Sequence, residues 1–367
     1  MIFALILALQ KPALPVEVIQ EPGEEIRFEA AILLPSELDR EDRAELPALA
    51  AAMAKATQDY PPSVVTGITD GRPLRVEILA DSLRISFGVN SNAEGPGVDL
   101  LSSILLRPRL GEGMKAEKPR GFYTSILTGG VVEGLVSSDE LSYLFGQIIR
   151  PERMRIAVAG PVAPGIGEKI AGRLTAFPSA VKANPYRKRQ SLPNYSPEAG
   201  NLVLRSPSIP YSAPDLSARL IAWTALGVGK GSALFRTSRE RLGMSYRQEA
   251  ILLGTPEGFV PTLLVATDKP DAEALRKALL EDIEGWTDDD VSRAKGILRA
   301  NQETSLPLSP LLVSSGGPPT NDAADRAFLA AYWPLRTGRA WDQLYWAVDV
   351  SLDDMKKLAR EAVTAAK

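Results

Sequence analysis

The chain of 367 residues contains no histidine and no cysteine. The two side chains that hold most protein zinc and drive much nucleophilic catalysis are therefore missing. Without cysteine there are no disulfides, iron-sulfur clusters or thiol chemistry, and without histidine no Ser-His-Asp triad can form. An excess of positive charge is missing too. The 42 Lys and Arg stand against 45 Asp and Glu, a formal net charge of -3, which gives no drive toward nucleic acid. The one dense basic cluster, Arg187-Lys188-Arg189, sits in a polar, proline-containing stretch and reads as a solvated linker. Long hydrophobic runs are also lacking. Residues 1–9 are apolar but too short to span a bilayer, and no other run approaches that length. They resemble the apolar core of a secretory signal without its positive flank, so residues 1–11 are expected to be a signal segment. A periplasmic or other extracytoplasmic location follows as an expectation, with the cytoplasm left open.

What is present describes a globular protein: 45% hydrophobic, 24% charged, and long enough for two domains. Strands are expected at 16–19 and 26–34 around the Pro22-Gly23 turn, followed by a helix at 46–57 rich in alanine. Alternating apolar residues at 74, 76 and 78 and at 83, 85, 87 and 89 predict a hairpin with one buried face. A short helix at 98–106 stops at Arg107-Pro108. A capping box at Ser137 and Glu140 opens the next helix, and a strand at 154–159 leads to a helix at 166–174. Residues 181–200, with Asn184-Pro185, Pro193-Asn194 and Ser196-Pro197, read as a linker.

The second half restates the first. It offers an opening strand near Val203, helices at 216–226 and 232–241, strands at 246–253 and 261–266, and a helix at 274–283 that pairs by order with 154–174. Capping boxes at Thr287/Asp290 and Ser351/Asp354 start later helices. The expected architecture is α+β, with two tandem copies of one unit, 12–180 and 201–367, each a mostly antiparallel sheet packed with helices.

Few segments could carry chemistry. Gly227-Val228-Gly229-Lys230-Gly231-Ser232 invites a phosphate-loop reading, but a Walker loop needs Ser or Thr where Gly231 stands and glycine where Thr224 stands. It reads instead as a glycine-rich turn between helices. Asp288-Asp289-Asp290 falls in the first turn of a helix, where negative charge suits the dipole. The remaining signal runs from Leu234 through Arg239 and Gly243 to Tyr246: a helix with a cationic last turn, halted by glycine and leading into a strand.

The order of glycine-rich turn, Ser, Leu-Phe, then Arg and Tyr seven residues apart with Leu-Gly between, resembles the C-terminal domain of the M16 peptidases, the insulinase and mitochondrial processing peptidase family. That resemblance implies tandem α+β domains facing each other around a substrate chamber, with 11–177 and 202–367 forming one such pair. Active relatives carry His-x-x-Glu-His on the first helix, two histidines binding zinc and the glutamate activating water. Here Ala48, Ala51 and Ala52 fall at those positions, so this chain is expected to bind no zinc or other cofactor itself. The family's other catalytic element, an arginine and tyrosine that hold the substrate backbone and stabilise developing charge, carries over onto Arg239 and Tyr246. Some bacterial relatives divide these elements between two chains. By that resemblance the chain is a zinc-free subunit orienting peptide for a histidine-bearing, zinc-holding M16-like partner. The alternatives are a catalytically inactive scaffold and a stand-alone peptide-binding protein. Neither nucleic acid nor a membrane span is expected.

Overall fold

The computed structural model describes residues 14–79, 81–111, 114–115, 135–175, 177, 201–245, 247–254, 258–303, 323–338, 340 and 348–367. The expected signal segment at 1–11 and linker at 181–200 lie outside the described residues. In the first half, strands β1 (Val16–Gln20), β2 (Glu25–Leu33), β3 (Arg75–Ile78), β4 (Ser82–Asn90) and β7 (Met154–Gly160) form one sheet in the order β1-β7-β2-β4-β3. β1 and β7 pair in parallel, and the other three ladders of this sheet are antiparallel. Strands β5 (Met114–Lys115) and β6 (Leu135–Val136) make a separate small ladder.

Alternation along these strands sends Phe28, Ala30 and Ile32, Ile85, Phe87 and Val89, and Ile156 and Val158 into one core. Helices α1 (Arg40–Lys55), α2 (Pro62–Ile68), α3 (Glu94–Leu106), α4 (Ser138–Ile148) and α5 (Ile166–Arg173) supply the rest of it, including Leu49, Met53, Leu101, Leu144 and Ile170. Phe28 stacks on Phe87 with ring centroids 5.1 Å apart. The Ser137/Glu140 capping box is present at α4. α1 begins six residues before the expected position, because the chain carries its helix straight through Pro47 and does not start beside it. Asp39 caps it by accepting from the Asp42 amide at 2.9 Å, and Glu41 and Asp42 suit the positive end of the dipole.

In the second half, β8 (Asn201–Arg205), β9 (Ile209–Pro210), β10 (Gln248–Gly254) and β11 (Gly258–Ala266) form an antiparallel sheet in the order β10-β11-β8, with β9 also on β11. Its helices are α6 (Leu216–Gly227), α7 (Ala233–Phe235), α8 (Ala272–Glu284), α9 (Asp288–Glu303), α10 (Ala323–Thr337) and α11 (Leu352–Ala365). The succession β2-α1-β3-β4-α3 is repeated as β8-α6-β10-β11-α8, and β2-β4-β3 matches β8-β11-β10 in order and sense. The topology therefore equates β11-α8 with β4-α3 and not, as sequence order suggested, with 154–174. Apolar strand-turn-helix units look alike in one dimension, and only pairing sets their register.

The hairpin of β3 and β4 forms but departs from the expected single buried face, since β4 is buried on both faces. The second face of the sheet is covered by α10, which packs against β2 and β7. Ala31, Ala157 and Ala159 share a core with Phe328, Tyr332 and Trp333 of that helix. Polar residues on this face are paired and not solvated: Arg84 reaches Glu29 at 2.9 Å, Ser86 donates to the same carboxylate, and the Arg84 guanidinium lies 4.8 Å from the Phe328 ring centre. At the β3–β4 turn, buried Asp81 accepts from Tyr332 at 2.7 Å and Tyr211 at 3.2 Å and pairs with Arg336 at 2.7 Å. A helix of the second half thus completes the first sheet. Among the described residues no helix is long and apolar enough to cross a membrane.

Candidate functional site

The segment carrying Arg239 is built from α6 onward. Gly227 ends that helix against β10, where a Cβ would fall 1.9 Å from the Ala250 Cβ, so no other residue allows the same approach. The glycine-rich turn that follows is closed by cations from behind. Arg293 donates to the carbonyls of Val228 at 3.3 Å and Ala225 at 3.1 Å, and Arg236 donates to that of Gly231. Ser232 donates to the Gly229 carbonyl at 2.7 Å and caps α7 by accepting from the Phe235 amide. With its carbonyls aimed at guanidinium groups, the turn is organised for structure and not for cradling phosphate.

Residues 232–241 were expected to form one regular helix. Instead α7 is a single turn, and Arg236–Arg241 continues as a π-helix. The physical reason lies in two adjacent buried hydroxyls. Thr237 donates to the Ala233 carbonyl at 2.7 Å and Ser238 to the Leu234 carbonyl at 2.6 Å, taking acceptors that an α-helix gives to backbone amides. The amide of Leu242 then bonds back five residues, to Thr237 at 2.9 Å. Such turns are frequent at functional sites. Gly243, with φ 57°, ends the segment in the left-handed region. Ser245, in the strand approach, accepts from the Arg247 amide at 2.9 Å and donates to its carbonyl.

On this turn Arg239 is exposed, its guanidinium carbon 5.2 Å from the centre of the Phe235 ring. Arg236 points the other way. It makes a two-pronged pair with Asp282, at 2.9 and 2.6 Å, and lies 3.6 Å from Asp290. The Asp282 hydrogen bonds hold the Arg236 charge more firmly than usual, whereas burial weakens that of Arg293. Asp290 therefore pairs with arginines as well as capping α9 through the Thr287 amide at 3.0 Å. Sequence reasoning read Asp290 only as a helix cap and missed Arg236, Asp282 and Arg293, because Arg236 lies 46 residues from Asp282. Tyr246 lies outside the described residues.

Ala48, Ala51 and Ala52 lie on α1, which packs against β3 and α4. Ala48 and Ala52 are 0% and 2% exposed, and Ala51 is partly buried. Methyl groups offer no donor atoms, so these positions do not fit zinc. Nor does any group of three or more His, Cys, Asp or Glu suited to a metal occur among the described residues. Ala48 and Ala52 belong to the first core, while the residues around Arg239 pack in the second.

No protein-family model and no curated protein sequence matches the chain. Solved structures do. The chain is similar to the peptidase M16 inactive domain from Pseudomonas fluorescens, with a TM-score of 0.67 at 13% identity over 96% of this chain and 93% of that one. It is also similar to a conserved protein from Enterococcus faecalis V583 (TM-score 0.62, 15% identity, 96% and 95% covered). A third likeness is to a protease from Helicobacter pylori (TM-score 0.62, 14% identity, 95% of each chain). At these identities the likeness is one of fold: the chain has an M16-like α+β architecture along nearly its whole length.

Proposed function

We propose that this chain is the zinc-free subunit of a two-chain M16-like metallopeptidase, with 12–180 and 201–367 as its paired domains. The observation that carries this is the π turn, anchored from behind by an ion pair and presenting exposed Arg239 directly before the strand approach that holds Tyr246 in sequence. A solvated helix arginine needs no such support. In this role Arg239 and Tyr246 orient a peptide backbone and stabilise charge developing on its carbonyl oxygen, while a histidine-bearing partner supplies zinc and the activated water. A second reading, an inactive scaffold or peptide-binding protein, is favoured by the likeness to an M16 inactive domain.

Co-expression with a His-x-x-Glu-His subunit and assay on a quenched peptide pool separates the two. Hydrolysis is expected from the pair and not from this chain alone. Arg239→Ala and Tyr246→Phe should each lower kcat about 100-fold or more with the complex intact. Wild-type hydrolysis by both variants sinks the proposed role of the pair, and an assembled but inert complex favours the scaffold.

A further inference from the structure

The π turn is held against α8 at two points. Arg236, its first residue, grips Asp282 with Nε and Nη2, and Arg241, its last, pairs with Glu281. Asp282 is itself fixed, because Trp286, 2% exposed, donates to Oδ1 at 3.0 Å. The two grips differ in kind: the Arg236–Asp282 pair is half-buried and bidentate, whereas Arg241 and Glu281 are exposed. π-helical turns are rare and occur mostly as single turns inside α-helices, and this one is tied to α8 from both of its ends. Arg239 stands three positions after Arg236 on the same turn, so a rotation at the first swings the second.

We infer that Arg236 and Asp282 are a positioning pair that sets the direction of Arg239, through the planar fork of one and the Trp286-locked carboxylate of the other. This rests on the role proposed above for Arg239. A lysine at 236 keeps the charge but cannot reproduce the fork, and so does not substitute.

The test uses the two-chain complex with a quenched peptide, reading kcat and KM separately. Arg236→Ala and Arg236→Lys should each lower kcat about 10- to 100-fold with little change in KM. Asp282→Asn, which keeps an oxygen for Trp286, should do the same and guards against a folding artefact. In an Arg239→Ala background, Arg236→Ala should cost nothing further, because the group it positions is gone. A multiplicative loss in the double variant, or normal kcat in Arg236→Ala beside a crippled Arg239→Ala, overturns the inference alone. Wild-type kinetics in Arg239→Ala overturn the functional reading and the inference together. Hydrogen exchange on the chain by itself needs no activity. Arg236→Ala should exchange roughly tenfold faster across 236–245 with 82–90 unchanged, and unaltered exchange across 236–245 overturns the positioning role.

Discussion

One carboxylate oxygen, Oδ2 of Asp81, meets two phenol hydroxyls and a guanidinium, and all three come from the second half of the chain. Asp81 and Arg336 are both nearly inaccessible, so removing one leaves the other buried and uncompensated. Asp81→Ala should therefore destabilise the protein by about 3–5 kcal/mol, read from the urea midpoint. The same cluster has a pH signature. Burial first, and then the Asp81 charge, push the Tyr332 hydroxyl well above the ordinary tyrosine value of 10.0. The folded chain keeps this proton to higher pH than the unfolded one, so the associated stability is complete below about pH 10 and is lost as pH rises through the folded value. Tyr332→Phe carries no such proton, and its urea midpoint should fall less steeply than the wild type's across that alkaline range. At this scale the sequence was silent, since Asp81 reads there as an ordinary turn residue.

Among elements, local rules located most of what formed. The capping box at Ser137/Glu140 and the N-cap at Ser351 start helices where the spacing places them. The pairing of β3 with β4 follows the alternation in the sequence. The failures share a cause. The first helix was expected at 46–57 from its alanine-rich content, yet α1 starts earlier, at a cap on Asp39, and runs through Pro47. Thr237 and Ser238 looked like ordinary helix residues, and only their burial turns the hydroxyls inward to bond the chain's own carbonyls. Of the candidate site, Arg239 was singled out in the sequence by its place in a motif that resembles the family's. Its support was not, because Asp282 stands 46 residues from Arg236.

For the molecule as a whole, α10 is the decisive element, since it belongs to the second half by sequence and to the first sheet by packing. The two halves are joined by packing as well as by the chain. With a protease site inserted at 181–200 and cut, the two fragments should still co-elute on size exclusion, held by the α10 face and the Asp81 cluster. Separation without denaturant would show that this interface is too weak to join them. Residues 12–180 made alone should bind a hydrophobic dye, because Ala31, Ala157 and Ala159 lose their cover.

The sequence by itself determined two things. Periodicity and caps placed most of the longer strands and helices, because those signals are carried by residues within a few positions of one another. Composition also decided that no histidine ligand can be assembled from this chain, since folding rearranges side chains and creates none. Tertiary structure decided the rest: the burial of both faces of β4, the repeat register, the π turn beneath Arg239, and the pairs Arg236–Asp282 and Asp81–Tyr332. The members of that last pair are 251 residues apart, and no local preference of either residue names the other.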